Sequence, residues 1–291
     1  MKGYVFPGQG AQYVGMGLEL YNSNALAKKL FDDANDILGF NITDVMFRGT
    51  DEELKQTKIT QPAIFLDSVI QALCNADIAE NSNIIGAVAG HSLGEFSALV
   101  VAKALSFESG LTLVAKRAMA MQKACEITPS TMAAVTGLLD DVLIEDTCKE
   151  VMTETGEVVV AANFNCPGQV VISGSIKGVE LAGEALKAKG AKRVIVLNVS
   201  GGFHSPMMQP AADELVLAIN NTEFFTPICP IFQNVDAKPH TNSDEIKHNL
   251  INQLTAPVRW TQTVKNMREF GISEFIEYGP GDVLTKLIAR I

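Results

Sequence analysis

The chain is poor in the features that mark membrane, secreted and nucleic-acid-binding proteins. No apolar run approaches the roughly 20 residues that a membrane-spanning helix requires, so no membrane partner is expected. The first residues contain no basic segment followed by an apolar one, which predicts no secretory peptide. Lys and Arg number 23 against 33 Asp and Glu. The net charge of −10 disfavours a nucleic-acid partner, because binding to phosphates needs a basic face.

Cysteines are few and widely spaced. There are five, an odd number without a CxxC pair, which argues against a disulfide framework or a zinc site. We therefore expect no bound metal, and reduced, buried thiols in a cytoplasmic protein. The cysteines are Cys74, Cys125, Cys148, Cys166 and Cys229.

Hydrophobic residues make up 47% of the 291 residues and charged residues 19%, which is typical of a globular protein with a large core. Short apolar runs alternate with longer helical ones, and this alternation predicts an α/β fold with a largely parallel sheet. The predicted strands include residues 4–6, 84–89, 158–162, 170–173 and 194–197, and the predicted helices include 62–74, 106–125, 176–188 and 206–219.

The predicted elements in the middle of the chain follow the order β-α-β-β-α-β, which is that of a ferredoxin-like unit. They are a strand at 131–137, a helix at 140–153, hairpin strands at 157–162 and 169–173 around a loop at 163–168, a second helix, and a strand at 193–197. We therefore predict a small ferredoxin-like subdomain at 127–196. It is inserted into a large, α/β-hydrolase-like body formed by 1–126 and 197–291.

A candidate nucleophile lies in Gly90-His91-Ser92-Leu93-Gly94, which matches G-x-S-x-G. The apolar run 84–89 precedes this pentapeptide and the helical run 95–102 follows it, as in the strand–turn–helix of a nucleophile elbow. Such a turn exposes the hydroxyl of Ser92 at a helix N-terminus, where the helix dipole stabilises negative charge. The alternative is a glycine-rich turn in which the serine only caps the helix. His91 is not expected to be the base, since the adjacent side chain of an elbow points away from the nucleophile.

His204 is the candidate general base among four histidines, because a neutral imidazole can accept the serine proton near neutral pH. It follows a predicted strand and precedes Ser205-Pro206, which is a helix-start signature. A structural role is the alternative. His240 and His248 are predicted to lie on the surface. No acidic third member is evident, and we expect a backbone carbonyl or an amide near Gln253 to orient the imidazole.

Arg117 is a charged residue on an apolar helix face, because the residues three and four positions away are Leu113, Val114, Ala120 and Met121. A buried arginine needs a partner. That partner is either an internal carboxylate or a substrate carboxylate gripped by the planar guanidinium. Beside a serine nucleophile, the second alternative suggests an acyl donor with a free carboxylate.

Several further motifs occur in order along the whole chain. They are Phe6-Pro7-Gly8-Gln9-Gly10-Ala11-Gln12, Gly90-His91-Ser92-Leu93-Gly94-Glu95, Arg117, Asn163-Phe164-Asn165-Cys166-Pro167-Gly168-Gln169, Phe203-His204, Val258-Arg259-Trp260 and Tyr278-Gly279-Pro280-Gly281. Together they resemble the malonyl-CoA:acyl-carrier-protein transacylases of bacterial fatty-acid synthesis and the related acyltransferase domains of polyketide synthases.

The resemblance implies a two-step transfer with malonyl-CoA as substrate and no bound cofactor. Ser92 would take the malonyl group from coenzyme A with His204 as general base. The phosphopantetheine thiol of acyl carrier protein, a transient partner, would then accept it. Arg117 would bind the malonyl carboxylate.

The resemblance also implies roles for residues around the nucleophile. The backbone N–H groups of Gln9 and Leu93 would form an oxyanion hole. Gln61 would line the pocket, and the main chain near Gln253 would orient the base. Phe203 resembles the residue of malonyl-selective members, in which bulk leaves no room for an α-methyl group.

Other functions share these motifs. An acyl-editing hydrolase would use the same elbow with water as acceptor, and a carrier-protein-binding scaffold with a vestigial site is a non-enzymatic alternative. The free-standing length favours a discrete enzyme of fatty-acid synthesis over a trans-acting polyketide acyltransferase. We expect a monomer. An acidic carrier protein would need a local basic patch on this acidic chain. The candidate patch consists of Lys187, Lys189, Lys192 and Arg193. The alternative is that these residues are only a solvated face of the subdomain.

Overall fold

The computed structural model describes residues 1–76, 78 and 85–291, and this part of the chain forms a larger and a smaller β-sheet with helices packed against them. The strands are β1 (Lys2–Phe6), β2 (Ile85–Gly90), β3 (Ser130–Thr136), β4 (Val159–Cys166), β5 (Gln169–Ser175), β6 (Arg193–Val196), β7 (Ile231–Phe232), β8 (Pro239–His240) and β9 (Glu274–Glu277). The helices are α1 (Leu18–Ser23), α2 (Ala25–Leu38), α3 (Ile42–Arg48), α4 (Asp51–Lys55), α5 (Thr57–Leu73), α6 (Gly94–Val101), α7 (Phe107–Ile127), α8 (Asp141–Thr155), α9 (Ile176–Ala188), α10 (Gln209–Asn220), α11 (Ser243–Asn252), α12 (Trp260–Glu269) and α13 (Val283–Ile288).

The larger sheet aligns parallel strands in the order β7-β2-β1-β9, with antiparallel β8 at the edge beyond β7. Phe6 at the end of β1 lies opposite Gly90 at the end of β2. Ala89 in turn pairs with Phe232 at the end of β7. Because parallel strands finish at a common edge, the segments that follow these three strands meet there, where active sites of α/β folds are built.

The smaller sheet has the order β4-β5-β3-β6, with every neighbouring pair antiparallel. Helices α8 and α9 pack on it, so the unit reads β3-α8-β4-β5-α9-β6. This is the predicted ferredoxin-like order. The predicted fold class, a parallel α/β body with a small ferredoxin-like insertion, is therefore confirmed, while the boundaries at 127 and 196 stay predictions.

Each sheet has a hydrophobic core of its own. The large core includes the fully buried Phe65 of α5 and Phe96 of α6. The small core includes Ile144 of α8 and Leu186 of α9. Burial of each such side chain stabilises the fold by roughly 1.5–3 kcal/mol. The larger core also takes in Met132 of β3 and Val171 of β5, so the smaller sheet packs against the larger body.

Backbone hydrogen bonds also connect the smaller sheet to the larger body. Val258, in the segment between α11 and α12, donates its N–H to the carbonyl of Ala162 in β4 at 2.8 Å. Its carbonyl accepts the N–H of Phe164 at 2.9 Å. Strand β4 is thereby fixed against the segment that follows α11.

Three predicted elements differ from the structure. Helix α5 begins at Thr57, with Pro62 inside it, because its nearly continuous burial outweighs one lost backbone hydrogen bond. Strand β4 runs to Cys166, so the predicted hairpin loop shrinks to a turn at Pro167 and Gly168. The predicted helix 206–219 is split into a 3₁₀ turn, Pro206–Met208, and helix α10.

Predicted strand 84–89 corresponds to β2, although Ile84 lies outside the described residues. In the described ranges, no helix is long and apolar enough to cross a membrane. Within the same ranges, no group of three or more His, Cys, Asp or Glu side chains could hold a metal ion.

Candidate active site

The turn between β2 and α6 carries Ser92 at a φ of 52°. A non-glycine residue rarely adopts this left-handed backbone, which marks functional turns. The flanking glycines have no space for a side chain: a Cβ on Gly90 would lie 1.9 Å from the carbonyl carbon of Gly94, and one on Gly94 would lie 2.0 Å from the carbonyl oxygen of Phe6. The sequence motif therefore forms a nucleophile elbow.

Asn234, which follows β7, fixes the elbow from the neighbouring strand end. Its Oδ1 accepts the N–H of Ser92 at 2.7 Å, and its Nδ2 donates to the carbonyl of Gly90 at 2.6 Å. The sequence analysis missed this residue. The available signal was the short apolar pair Ile231–Phe232 followed by polar Gln233 and Asn234, a pattern of a strand ending at an active-site edge.

His204 lies within hydrogen-bonding distance of the nucleophile, with 2.7 Å between its Nε2 and the Oγ of Ser92. Its Nδ1 lies 3.0 Å from the carbonyl oxygen of Gln253 and 3.1 Å from that of Ala256. Carbonyl oxygens only accept, so Nδ1 must carry the proton and the lone pair of Nε2 must face Ser92. A carbonyl acceptor thus takes the position that an acidic residue holds in a Ser-His-Asp triad.

The loop that carries His204 is held by the small sheet. His204 has a φ of 56°, a second left-handed backbone at the site. Ser173 of β5 donates its hydroxyl to the carbonyl of Phe203 at 2.6 Å, and Ser130 of β3 accepts the N–H of Gly202 at 2.8 Å. The nucleophile thus comes from the large sheet, while the small sheet helps to position the base.

Burial, followed by the positive charge of Arg117, lowers the pKa of His204 to about 3. The hydrogen bonds from Nδ1 to the two carbonyls oppose this shift but are weaker. The imidazole is therefore neutral at neutral pH and is able to accept the proton of Ser92.

Arg117, on α7, points its guanidinium at the nucleophile. Its Nη2 donates to the Oγ of Ser92 at 3.0 Å and to the Oε1 of Gln253 at 3.2 Å, and its Nη1 donates to the Oε1 of Gln61 at 2.7 Å. All three acceptors are neutral. Its Nε has no hydrogen-bond partner among the described residues.

Burial lowers the pKa of Arg117 to about 10, an effect that the charge of buried Glu95 partly opposes. The guanidinium therefore stays protonated at neutral pH. The sequence left two partners open for it, and the structure provides an internal carboxylate that acts on it only through space. Arg117 also lines the cavity beside Ser92.

Gln9 and Leu93 lie at the same cavity as the nucleophile. Pairing of β1 with β2 sets the loop after Phe6 beside the elbow, and the packing is close: a Cβ on Gly8 would lie 2.5 Å from the carbonyl oxygen of His91. In the part of the chain that the structure describes, neither N–H donates to a protein acceptor. The expected oxyanion-hole role of these two N–H groups therefore stays a prediction.

A cavity of about 430 Å³ opens at Ser92 between the two sheets. Its apolar wall includes Phe203, Met132, Val171 and Leu197. Gln61 was expected to line it, but Gln61 is fully buried behind Arg117 and contacts the guanidinium instead.

The other histidines contact different groups. His91 points away from the hydroxyl, with its Nε2 2.9 Å from Oδ1 of Asn165 and its ring against Trp260. His248 is exposed, as predicted. His240 was also predicted on the surface, but it is largely buried because Asp236, Glu245 and Asn249 enclose it with hydrogen bonds.

A serine on an elbow of a parallel α/β sheet, hydrogen-bonded to a buried neutral imidazole, defines an enzyme that works through an acyl-serine. The model of the acyl transferase domain family matches residues 3–290. The chain therefore belongs to that acyltransferase family.

Named relatives are similar to this protein over nearly the whole chain. The malonyl CoA-acyl carrier protein transacylase of Bacillus subtilis (strain 168) is 42% identical over 290 residues, which cover 99% of this chain and 89% of the relative. The protein of the same name from Escherichia coli (strain K12) is 42% identical over 288 residues, with 99% and 92% covered.

Solved structures show the same fold. One is a type II PKS acyl-carrier protein in complex with its malonyl-transacylase, with a TM-score of 0.93, 41% identity, and 100% of this chain and 92% of that chain covered. Another is the malonyl CoA-acyl carrier protein transacylase from Coxiella burnetii, with a TM-score of 0.93, 39% identity, and 100% and 90% covered.

Proposed function

We propose that this protein transfers the malonyl group of malonyl-CoA to the phosphopantetheine thiol of an acyl carrier protein, through a malonyl ester on Ser92. The observation that carries the proposal is the position of Arg117, a buried cation whose Nη2 lies 3.0 Å from the Oγ of Ser92 while all its hydrogen-bond acceptors are neutral. A carboxylate on the acyl group would supply the missing anion at that point.

The first half of the reaction forms the ester. The Oγ of Ser92 attacks the thioester carbonyl while its proton passes to Nε2 of His204. The oxyanion accepts hydrogen bonds from the N–H groups of Gln9 and Leu93, each worth about 3–4 kcal/mol in comparable sites. The C–S bond then breaks, and the proton on His204 moves to the sulfur of coenzyme A.

The second half runs the same steps with a new thiol. The pantetheine sulfur loses its proton to His204 and attacks the carbonyl of the malonyl ester. The ester C–O bond breaks, and the proton returns from His204 to the Oγ of Ser92. Reuse of one base and one oxyanion site suits a reaction in which the leaving group of the first half and the acceptor of the second half are both pantetheine thiols. No cofactor is required.

The carrier protein is proposed to dock on the basic patch, which is Lys187, Lys189, Lys192 and Arg193. All four side chains are exposed, although Lys189 is ion-paired with Glu150. The segment 197–200, which follows β6, lines the cavity. This continuity supports delivery of a pantetheine arm from the patch. Charge reversal of Lys192 and Arg193 should raise the KM for carrier protein without slowing formation of the malonyl ester.

We further propose that the product supplies fatty-acid elongation in the cytoplasm, and that the protein is a monomer. The names of the relatives support the malonyl donor and the carrier-protein acceptor. A polyketide destination is the second candidate, because one structural neighbour is complexed with a type II PKS carrier protein. Rates with a fatty-acid and a polyketide carrier protein would distinguish them.

Intact-mass measurement after incubation with malonyl-CoA tests the mechanism. The wild-type protein should gain one malonyl group and lose it on addition of holo carrier protein, and Ser92→Ala should gain none. An adduct that persists in Ser92→Ala would overturn the assignment of the nucleophile. An adduct that water removes as fast as carrier protein would instead indicate a hydrolase.

A further inference from the structure

Glu95 is a fully buried carboxylate beneath the nucleophile, and the proposed mechanism does not use it. It lies in the first turn of α6 and is 1% exposed. Its Oε1 accepts from Nε2 of Gln233 at 2.8 Å. Its Oε2 accepts from the backbone N–H of Asn234 at 3.0 Å and from Nε2 of Gln253 at 3.0 Å. A buried anion of this kind is costly unless its hydrogen bonds are in place, so its retention here requires an explanation.

Each of two neighbours of Glu95 contacts the catalytic groups directly. Asn234 bonds the N–H of Ser92 and the carbonyl of Gly90. Gln253 donates from Nε2 to the carbonyl of Ser92 at 2.9 Å and accepts at Oε1 from Arg117. The main-chain carbonyl of Gln253 also accepts from His204. Through Asn234 and Gln253, the carboxylate of Glu95 is therefore connected to the nucleophile, the base and the cation.

Glu95 and the carbonyl of Ser92 together set the direction of these hydrogen bonds. Burial raises the pKa of Glu95, but the N–H groups of Gln233, Asn234 and Gln253 all donate to it and favour the ionised carboxylate. A carboxylate and a main-chain carbonyl only accept, so Gln253 turns its NH₂ group toward Glu95 and Ser92 and its carbonyl oxygen toward Arg117. A neutral amide in place of Glu95 could donate as well as accept. The NH₂ of Gln253 would then keep the carbonyl of Ser92 as its one fixed acceptor, and the orientation of the amide that faces Arg117 would be held less firmly.

We propose that Glu95 is a positioning residue, which through Gln253 holds the guanidinium of Arg117 in the orientation that receives the acyl carboxylate. This inference rests on the proposed malonyl transfer. It assigns Glu95 no contact with substrate. Its specific consequence is that loss of the charge on Glu95 lowers the rate of malonyl transfer more than the rate of acetyl transfer, because an acetyl group has no carboxylate to orient.

Glu95→Gln tests the inference, with Glu154→Gln as control because Glu154 is exposed on α8. We expect kcat/KM for malonyl-CoA to fall about 10- to 100-fold, the range of one charge-assisted hydrogen bond. The acetyl rate should change less than the malonyl rate, and the control should keep both rates. Thermal unfolding measured on the same samples separates misfolding from misorientation, since a smaller folded fraction lowers both rates equally.

Equal losses for malonyl and acetyl in folded Glu95→Gln would overturn the inference. If that variant does not fold, Gln253→Leu is the second test. It removes the amide that links Glu95 to Arg117, while Glu95 keeps its hydrogen bonds to Gln233 and Asn234. An unchanged ratio of malonyl to acetyl rates in Gln253→Leu would also overturn the inference. The wild-type mass measurement decides the proposed function separately. A wild-type protein without a malonyl adduct would refute that function, whatever Glu95 does.

Discussion

Arg117 and Ser92 are in direct contact, with 3.0 Å between the Nη2 of the arginine and the Oγ of the serine. The same oxygen lies 2.7 Å from Nε2 of His204. The hydroxyl therefore sits between a base and a cation. The cation favours the developing alkoxide, but it also lowers the pKa of the base. When the acyl group binds, its carboxylate would offset the charge of Arg117, and the pKa of His204 would then rise.

Arg117→Ala should separate malonyl from acetyl transfer. Loss of one or two charge-assisted hydrogen bonds, each worth about 1.5–3 kcal/mol, should lower kcat/KM for malonyl-CoA by about 10- to 10⁴-fold, while acetyl transfer is retained or rises. Steady-state rates with both donors measure this. Lys116→Ala is the matched control, because Lys116 is exposed on the same helix. Equal losses for both donors would remove the clamp role.

Arg117→Ala should also change the pH dependence. Burial and the charge of Arg117 both lower the pKa of His204, so removing the charge should raise that pKa from its wild-type value of about 3. Protonation of His204 stops general-base catalysis, so the acidic limb of kcat/KM for acetyl-CoA should move to higher pH in the variant. Circular dichroism must show that both proteins stay folded over the range. Coincident acidic limbs would contradict the coupling.

Phe203→Ala should relax selection against an α-methyl group. Phe203 is buried beside His204 and lines the cavity, so truncation opens space near the α-carbon of the acyl group. A single methyl group is worth about 1–3 kcal/mol in an apolar pocket, so the preference for malonyl-CoA over methylmalonyl-CoA should fall about 10- to 200-fold. Competition between the two donors measures the preference. Phe225→Ala, at an exposed position, should leave it unchanged.

Asp67→Asn should alter stability in a pH-dependent way. Asp67 is buried in α5, and its Oδ1 has no partner among the described residues, although Oδ2 accepts from Gln71. Burial raises its pKa from 3.8 to about 7. The folded state therefore binds the proton more tightly than the unfolded state. The stabilisation is complete below pH 3.8 and is lost as the pH rises through 7, a loss of about 4 kcal/mol in wild type.

Urea unfolding of both proteins at pH 5 and pH 8 checks this prediction. Asparagine does not ionise, so the advantage of Asp67→Asn over wild type should be larger at pH 8 than at pH 5. An advantage of equal size at both pH values would show that Asp67 does not titrate in this range.

The local features of the site could be read from the sequence because each depends on a few consecutive residues. The elbow follows from two glycines around Ser92 with a strand before and a helix after. The helix start after His204 follows from Ser205 and Pro206, and the structure has that cap, although as a 3₁₀ turn. The apolar neighbours of Arg117 on its helix predicted that it is buried, and the structure confirms this with 1% exposure.

The sequence by itself therefore determined the fold class, the elbow and the burial of Arg117, since periodicity and turn chemistry act over short distances. Only the tertiary structure decided what those residues contact. Glu95 and Gln253 are 158 positions apart, and Ser92 and Asn234 are 142 apart. Their contacts exist because β2 and β7 end at one sheet edge, and because the segment that follows α11 packs against the elbow at that edge. The direction of each hydrogen bond then depends on which groups can only accept, and that is set by the assembled site as a whole.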